Sequence, residues 1–156
     1  MVKSEYRPKK EDLIMKLYEL VNQHHIGTTL SCAEAMLKAC DEYYHLELSK
    51  DSKKMFSIMG LGMQNEISCC GAFTVAVGII GLMTCSEEMS DYQNVKGYEM
   101  VSELTDEFIE MFSTVQCCKL QELDIDGFEN PCHFIVEELA RKLEGILSTI
   151  RPQNTN

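Results

Sequence analysis

Eight cysteines in a chain of 156 residues are the groups best equipped for chemistry. Four of them form vicinal pairs, Cys69-Cys70 and Cys117-Cys118, while Cys32, Cys40, Cys85 and Cys132 stand apart. The thiolate is both the nucleophile and the metal ligand, so what matters first is where a thiol can ionise. Three positions suit ionisation. Cys32 follows Ser31, a residue that caps helices. Cys70 begins the apolar part of SCCGAFTVAVGIIGLMTC, residues 68–85. Cys132 follows Asn130-Pro131, a strong helix start. A helix N-terminus carries partial positive charge and unpaired N–H groups, so all three thiols are expected to be shifted towards the anion. Cys40 and Cys85 lie on apolar stripes and read as core filling. Adjacent cysteines on a helix point about 100° apart, so a vicinal pair offers one sulfur to any single site.

No C-x-x-C knuckle occurs, which argues against a zinc finger. Sulfurs gathered from separate elements leave three chemistries open. Four thiolates could share an iron–sulfur cluster, which spreads their charge, or a soft metal such as copper or zinc. Two thiols could instead bridge reversibly, without any cofactor. All could simply pack, in a helical interaction domain. The shared centre ranks first, because scattered, helix-capped thiols suit it better than a pair does.

Other candidates are weaker. His24, His25 and His45 sit at helix ends, where a cation suits the dipole, and His133 reads as a surface residue. Asp124, Asp126, Gly127 and Glu129 lack the spacing of a calcium loop and read as a solvated turn. Glu34 is read as a surface residue. The ten methionines are scattered and read as core packing.

Composition bounds the class of protein. Fourteen basic against twenty-five acidic residues give a net charge of −11, which disfavours nucleic acid and anionic membranes. The longest apolar run, Cys69 to Met83, is shorter than the roughly 20 residues of a spanning helix. No secretory h-region follows the N-terminus, so a cytoplasmic protein is expected. A reducing compartment makes structural disulfides unfavourable and directs cysteine excess towards metal or redox chemistry.

The elements that must position these sulfurs follow a helical period almost throughout. Leu13, Ile14, Leu17, Leu20 and Val21 make a first stripe ending before Gly27. Cys32, Met36, Ala39, Cys40 and Tyr43 make a second, capped by Ser31. A short third helix spans about 49–59 and stops at Gly60-Leu61-Gly62. The apolar run makes a fourth, over about 70–84. On it Gly71, Thr74, Gly78, Gly81 and Cys85 form a stripe of small residues that a neighbouring helix can approach, within the chain or across a homodimer. Ser90 and Gln93 suggest a capping box for a fifth, with Val101, Leu104, Phe108 and Phe112 as its stripe. Residues 121–130 read as a loop. Ile135, Val136, Leu139, Ala140, Leu143 and Leu147 line the last helix. The expected fold is an all-α bundle of five to six helices around the buried 70–84 helix. It is one domain over 1–150, with 151–156 as a frayed tail.

In order along the chain stand SCAEAM, then CGA opening an apolar helix with GLM at its end, then FSTVQCCKL, then PCHFIVEEL. This set resembles the C_GCAxxG_C_C family, small all-helical domains named for redox activity, over about Leu13 to Leu147. The resemblance implies that the family's four cysteines are Cys32, Cys70, Cys117 and Cys132, and it alone selects Cys117. On the first of the chemistries above, these four would form one thiolate site holding an iron–sulfur cluster or other thiophilic metal, or none, that passes electrons to a redox partner protein. Two departures stand out. Val75 occupies a position where the family has glycine, and the approach to the motif, GLGMQNEIS, keeps only Gly60 and Gly62. Glycines there would let backbone come close to a cofactor.

Overall fold

A computed structural model describes residues 15–86, 88 and 95–150. The fold is all-α, as expected. Its helical segments are α1 (Leu17–His25), α2 (Cys32–Tyr44), α3 (Lys50–Ser57), α4 (Gly60–Gln64), α5 (Gly71–Thr84), α6 (Val95–Phe112), α7 (Cys117–Gln121) and α8 (Pro131–Leu147). Leu13, Ile14, Ser90, Gln93 and the segment 151–156 lie outside the described residues. Among the described residues, no helix is long and apolar enough to cross a membrane.

Six of these segments have at least eight residues and match the six expected helices. The other two, α4 and α7, have five residues each, too few for a period to show. Both border the thiol site.

Helix α5 lies between α2, α6 and α8. Its first two turns are the most enclosed, with Gly71, Ala72, Phe73, Val75 and Ala76 buried, whereas Leu82 near its end is exposed. The stripe of small residues receives backbone of the α4 turn at Gly71 and a side chain from α3 at Gly78, where a Cβ would stand 2.8 Å from the Phe56 ring. Phenylalanines tie α5, α6 and α8 together. Phe73 stacks on Phe108 at 5.1 Å, Phe108 on Phe112 at 4.9 Å, and Phe112 on Phe134 at 6.2 Å between ring centroids. Burying one such ring is worth about 3 kcal/mol, so this row holds the bundle's middle.

At the start of α1 the N-cap residue Lys16 offers no side-chain acceptor, and Glu19 accepts from the Lys16 N–H at 2.7 Å. The first N–H of the helix, from Leu17, donates to Glu144 of α8 at 3.0 Å, and Tyr43 of α2 donates to the same carboxylate at 3.1 Å. One acidic side chain thus fixes three helices against each other.

Candidate functional site

The site is built where the N-terminal ends of α2, α5, α7 and α8 come together. Ser31 caps α2 through a reciprocal box: its hydroxyl accepts from the Glu34 N–H at 3.2 Å, and the Glu34 carboxylate accepts from the Ser31 N–H at 2.9 Å. Glu34 is therefore a structural partner of the cap and not a free surface acid. Cys32 is the first helical residue after it. Cys70 is the N-cap of α5, and Cys117 opens α7. Asn130 caps α8 by accepting from the Cys132 N–H at 3.0 Å, with Pro131 in the first turn. Replacing Asn130 with alanine is expected to cost about 1 kcal/mol, read from urea unfolding, because the Cys132 N–H then loses its acceptor.

Two short extended segments bring α5 and α7 side by side. The Cys70 N–H donates to the Val115 carbonyl at 2.8 Å, the Cys117 N–H to that of Ser68 at 2.9 Å, and the Cys118 N–H to that of Glu66 at 2.7 Å. The Gln116 side chain adds a bond to the Ile67 carbonyl at 2.9 Å. Cys69 and Gln116 face each other in an isolated antiparallel bridge.

The third component is α4, whose winding is left-handed. Leu61, Gly62, Met63 and Gln64 all have positive φ, at 52°, 54°, 61° and 66°. Each non-glycine residue in that region costs roughly 1–2 kcal/mol, so neighbouring contacts must hold the turn. The Gln64 amide donates to the Gly60 carbonyl at 3.0 Å, and the Glu66 N–H to that of Leu61 at 2.9 Å. Gly62 lies so near α7 that a Cβ would sit 2.6 Å from the Cys117 Cβ. Gly71 lies against the Met59 carbonyl and 2.9 Å from the Gly60 Cα in the same sense. The clearance that these glycines create is filled by the protein's own backbone and by Cys117. Val75, at the departure from the family motif, is fully buried in the core.

Electrostatics divide the four sulfurs. Cys32 accepts a hydrogen bond from the Cys70 thiol, and N–H groups of Ala72, Leu61 and Ala33 also point at it. The Cys70 bond is the largest influence. Together these donors outweigh burial and bring Cys32 down to about 6, so it is a thiolate at neutral pH. Cys70 moves the other way, held protonated by its bond to Cys32 and then by burial. Burial pushes the Cys132 thiol up to about 11, helped by the charges of Cys32 and Cys117. Cys117 is also raised, by burial and by the charges of Cys32, Glu66 and Cys118, against a bond from the Gln121 amide at 3.2 Å. The expectation that three helix N-termini would yield three thiolates is corrected: one anion forms, at Cys32. A helix end is worth up to about 1 kcal/mol, whereas burial can shift a thiol by several pH units.

The remaining cysteines differ from each other. Cys40 is fully buried against the Met36 sulfur at 3.8 Å, and burial holds it protonated, in keeping with core filling. Cys85 is exposed at the end of α5, so its reading as core filling is corrected. Cys69 and Cys118 are half-buried. His133 stacks edge-on against His25 with centroids 5.0 Å apart, and burial, then the charge of His133, keeps His25 neutral down to about 4. Helix-end position alone gave no sign of that pair. Asp126 and Gly127 lie in a turn. Among the described residues, no three His, Cys, Asp or Glu side chains are arranged to hold a metal ion.

The fold and site define an all-helical domain in which cysteines from four helix starts influence one another's protonation. The model of the family described as "Putative redox-active protein (C_GCAxxG_C_C)" matches residues 30–146, and the chain belongs to that family. No curated protein and no solved structure matches it.

Proposed function

We propose that Cys32 and Cys70 are a reversible dithiol–disulfide couple and that the protein works as a two-electron thiol redox carrier. The influence of the Cys70 thiol on Cys32, the largest acting on that sulfur, carries this reading, because it couples a nucleophilic sulfur to its bridging partner. Oxidation joins the two sulfurs, withdraws two electrons and releases the Cys70 proton, since Cys32 is already ionised. A dithiol on a redox partner protein returns two electrons and reopens the bond. Eight free thiols suit a reducing compartment, and we place the couple in the cytoplasm.

Equilibration in oxidised and reduced glutathione buffers, followed by acid quench, alkylation and peptide mapping, tests the couple. A Cys32–Cys70 crosslink that titrates with the buffer and vanishes in Cys70→Ser is expected. Independent alkylation of both sulfurs at every poise would refute it.

An iron–sulfur cluster or other thiophilic metal on Cys32, Cys70, Cys117 and Cys132 is the second reading. In its favour, the charges of Cys32 and Cys117 both reach Cys132. The side chains as arranged do not converge on a point, so the sulfurs would have to turn inward to share an ion. Metal analysis and an optical spectrum after anaerobic purification separate the readings. Bound metal that is lost in Cys70→Ser would put the shared ion first.

A further inference from the structure

We propose that the face formed by α3, the α4 turn and Ile67 is a self-association surface, covered by a second copy of this chain about a two-fold axis. The inference stands apart from the thiol couple and holds whichever chemistry the cysteines perform.

The first observation is where apolar side chains reach solvent. Of twelve large ones exposed among the described residues, five fall within positions 55–67: Met55, Ile58, Leu61, Met63 and Ile67, each between 43 % and 69 % exposed. The local structure turns them outward. No residue of α3 is buried. Phe56 lies against Gly78 of α5, which leaves Met55 and Ile58, three residues apart, on the open side. In the α4 turn Gly62 is buried against Cys117, and Leu61 and Met63 on either side of it are exposed. Hydrogen bonds draw the stretch together. The Gln64 amide donates to the Ile58 and Gly60 carbonyls at 3.4 and 3.0 Å, and the Glu66 N–H to the Leu61 carbonyl at 2.9 Å. Single exposed apolar residues are ordinary, but a gathered set marks an interaction site. A stable contact takes about 800 Å² from each partner, with an apolar centre inside a polar rim. These five side chains supply the centre.

The second observation is charge, which selects the occupant. A net charge of −11 sets two copies against each other over most of their surface. Helix α6 also exposes Val95, Tyr98, Ile109 and Met111, but beside them stand Glu99, Glu103, Asp106 and Glu110 against one lysine, Lys96. Pairing two copies there would oppose four carboxylates to four. Residues 50–67 differ, because Lys50, Lys53 and Lys54 outnumber Asp51 and Glu66. Lys53 is paired with Asp41 at 2.7 Å and Lys54 with Asp51 at 3.4 Å, so the rim carries both signs. The Lys54 and Asp51 side chains are 78 % and 91 % exposed, and across a two-fold axis each can meet its opposite on the second copy. This face therefore offers apolar area without the repulsion met on α6. The small-residue stripe of α5 is not the contact, since α4 backbone fills it at Gly71 and Phe56 fills it at Gly78. Leu61 and Met63 flank the glycine that rests on Cys117, so two chains joined here hold their thiol sites to either side of one interface.

Full-length protein, kept reduced so that no disulfide links two chains, is sedimented to equilibrium between about 2 and 200 μM, where mass action moves the balance. Wild type is expected to pass from monomer to dimer. Ile58→Asp is expected to raise the dimer dissociation constant about tenfold or more, and Tyr98→Asp on α6 to leave it unchanged. Hydrogen–deuterium exchange of wild type at the two ends of the range should slow at the higher concentration within residues 55–67. That measurement needs no variant, so it reads out even if Ile58→Asp folds poorly. A monomer at every concentration overturns the proposal. So does a dimer that Tyr98→Asp dissociates and Ile58→Asp leaves intact, or exchange that slows elsewhere and not within 55–67. Assemblies that grow beyond the dimer overturn the two-fold arrangement.

Discussion

Replacing Gly71 with alanine is expected to destabilise the protein by roughly 3 kcal/mol or more, a large share of a domain's total stability. The added Cβ would meet the Met59 carbonyl and stand 2.9 Å from the Gly60 Cα. Both are backbone atoms of a turn held by its own hydrogen bonds, so no flexible side chain can swing away. Either α5 moves off α4 or the left-handed turn unwinds, and each outcome removes the Leu61 N–H from Cys32. Urea unfolding measures the loss, and iodoacetamide reactivity at pH 7 measures the thiol. Both should fall together in Gly71→Ala. Unchanged stability would mean that α4 and α5 do not sit as closely as described.

The second large effect is on pH dependence. Cys32 in the native protein is depressed to about 6 from its ordinary 9.0. A depressed group adds stability above its unfolded value and loses it as pH falls through the native one. Cys132 is raised to about 11, so its contribution is present below 9.0 and is lost as pH rises through about 11. The raised Cys70 and Cys117 add to that upper limb. Stability from this cluster should therefore climb between about pH 6 and 9 and decline above 9. Unfolding midpoints at pH 6, 8.5 and 10.5 follow the profile. Replacing Cys70 with alanine removes the strongest donor to Cys32, so the midpoint of Cys32 alkylation against pH should move upward from about 6. A midpoint unmoved by that substitution would separate the two sulfurs.

Much of the frame was legible because it rests on local signals. Ser31 before an apolar stripe, and Asn130-Pro131 before another, mark helix starts through the acceptor that each supplies, and both caps form. The 70–84 helix was readable from the length of its apolar run. What joins the sulfurs was not legible. Nothing in Leu61-Gly62-Met63-Gln64 beyond one glycine announces four left-handed residues in succession, because their conformation is set by contacts with α5 and α7. Helix α7 is too short to display a period, so Cys117 could be selected only through the family resemblance. Helix-end reasoning also placed negative charge on Cys70, where the interaction with Cys32 and then desolvation prevail, and on Cys132, where desolvation prevails. Burial at those positions depends on the packing of distant segments, which no local pattern records.

The left-handed α4 turn hands its Leu61 amide to the sulfur that gains and loses charge. In the proposed couple, oxidation of Cys32 would act on the winding of the main chain, since a neutral, bridged sulfur attracts that amide less than an anion does. On that proposal, conformational tension and reducing power would be two readings of a single reservoir. Tightening the coil makes the thiolate easier to keep, and emptying the thiolate slackens the coil.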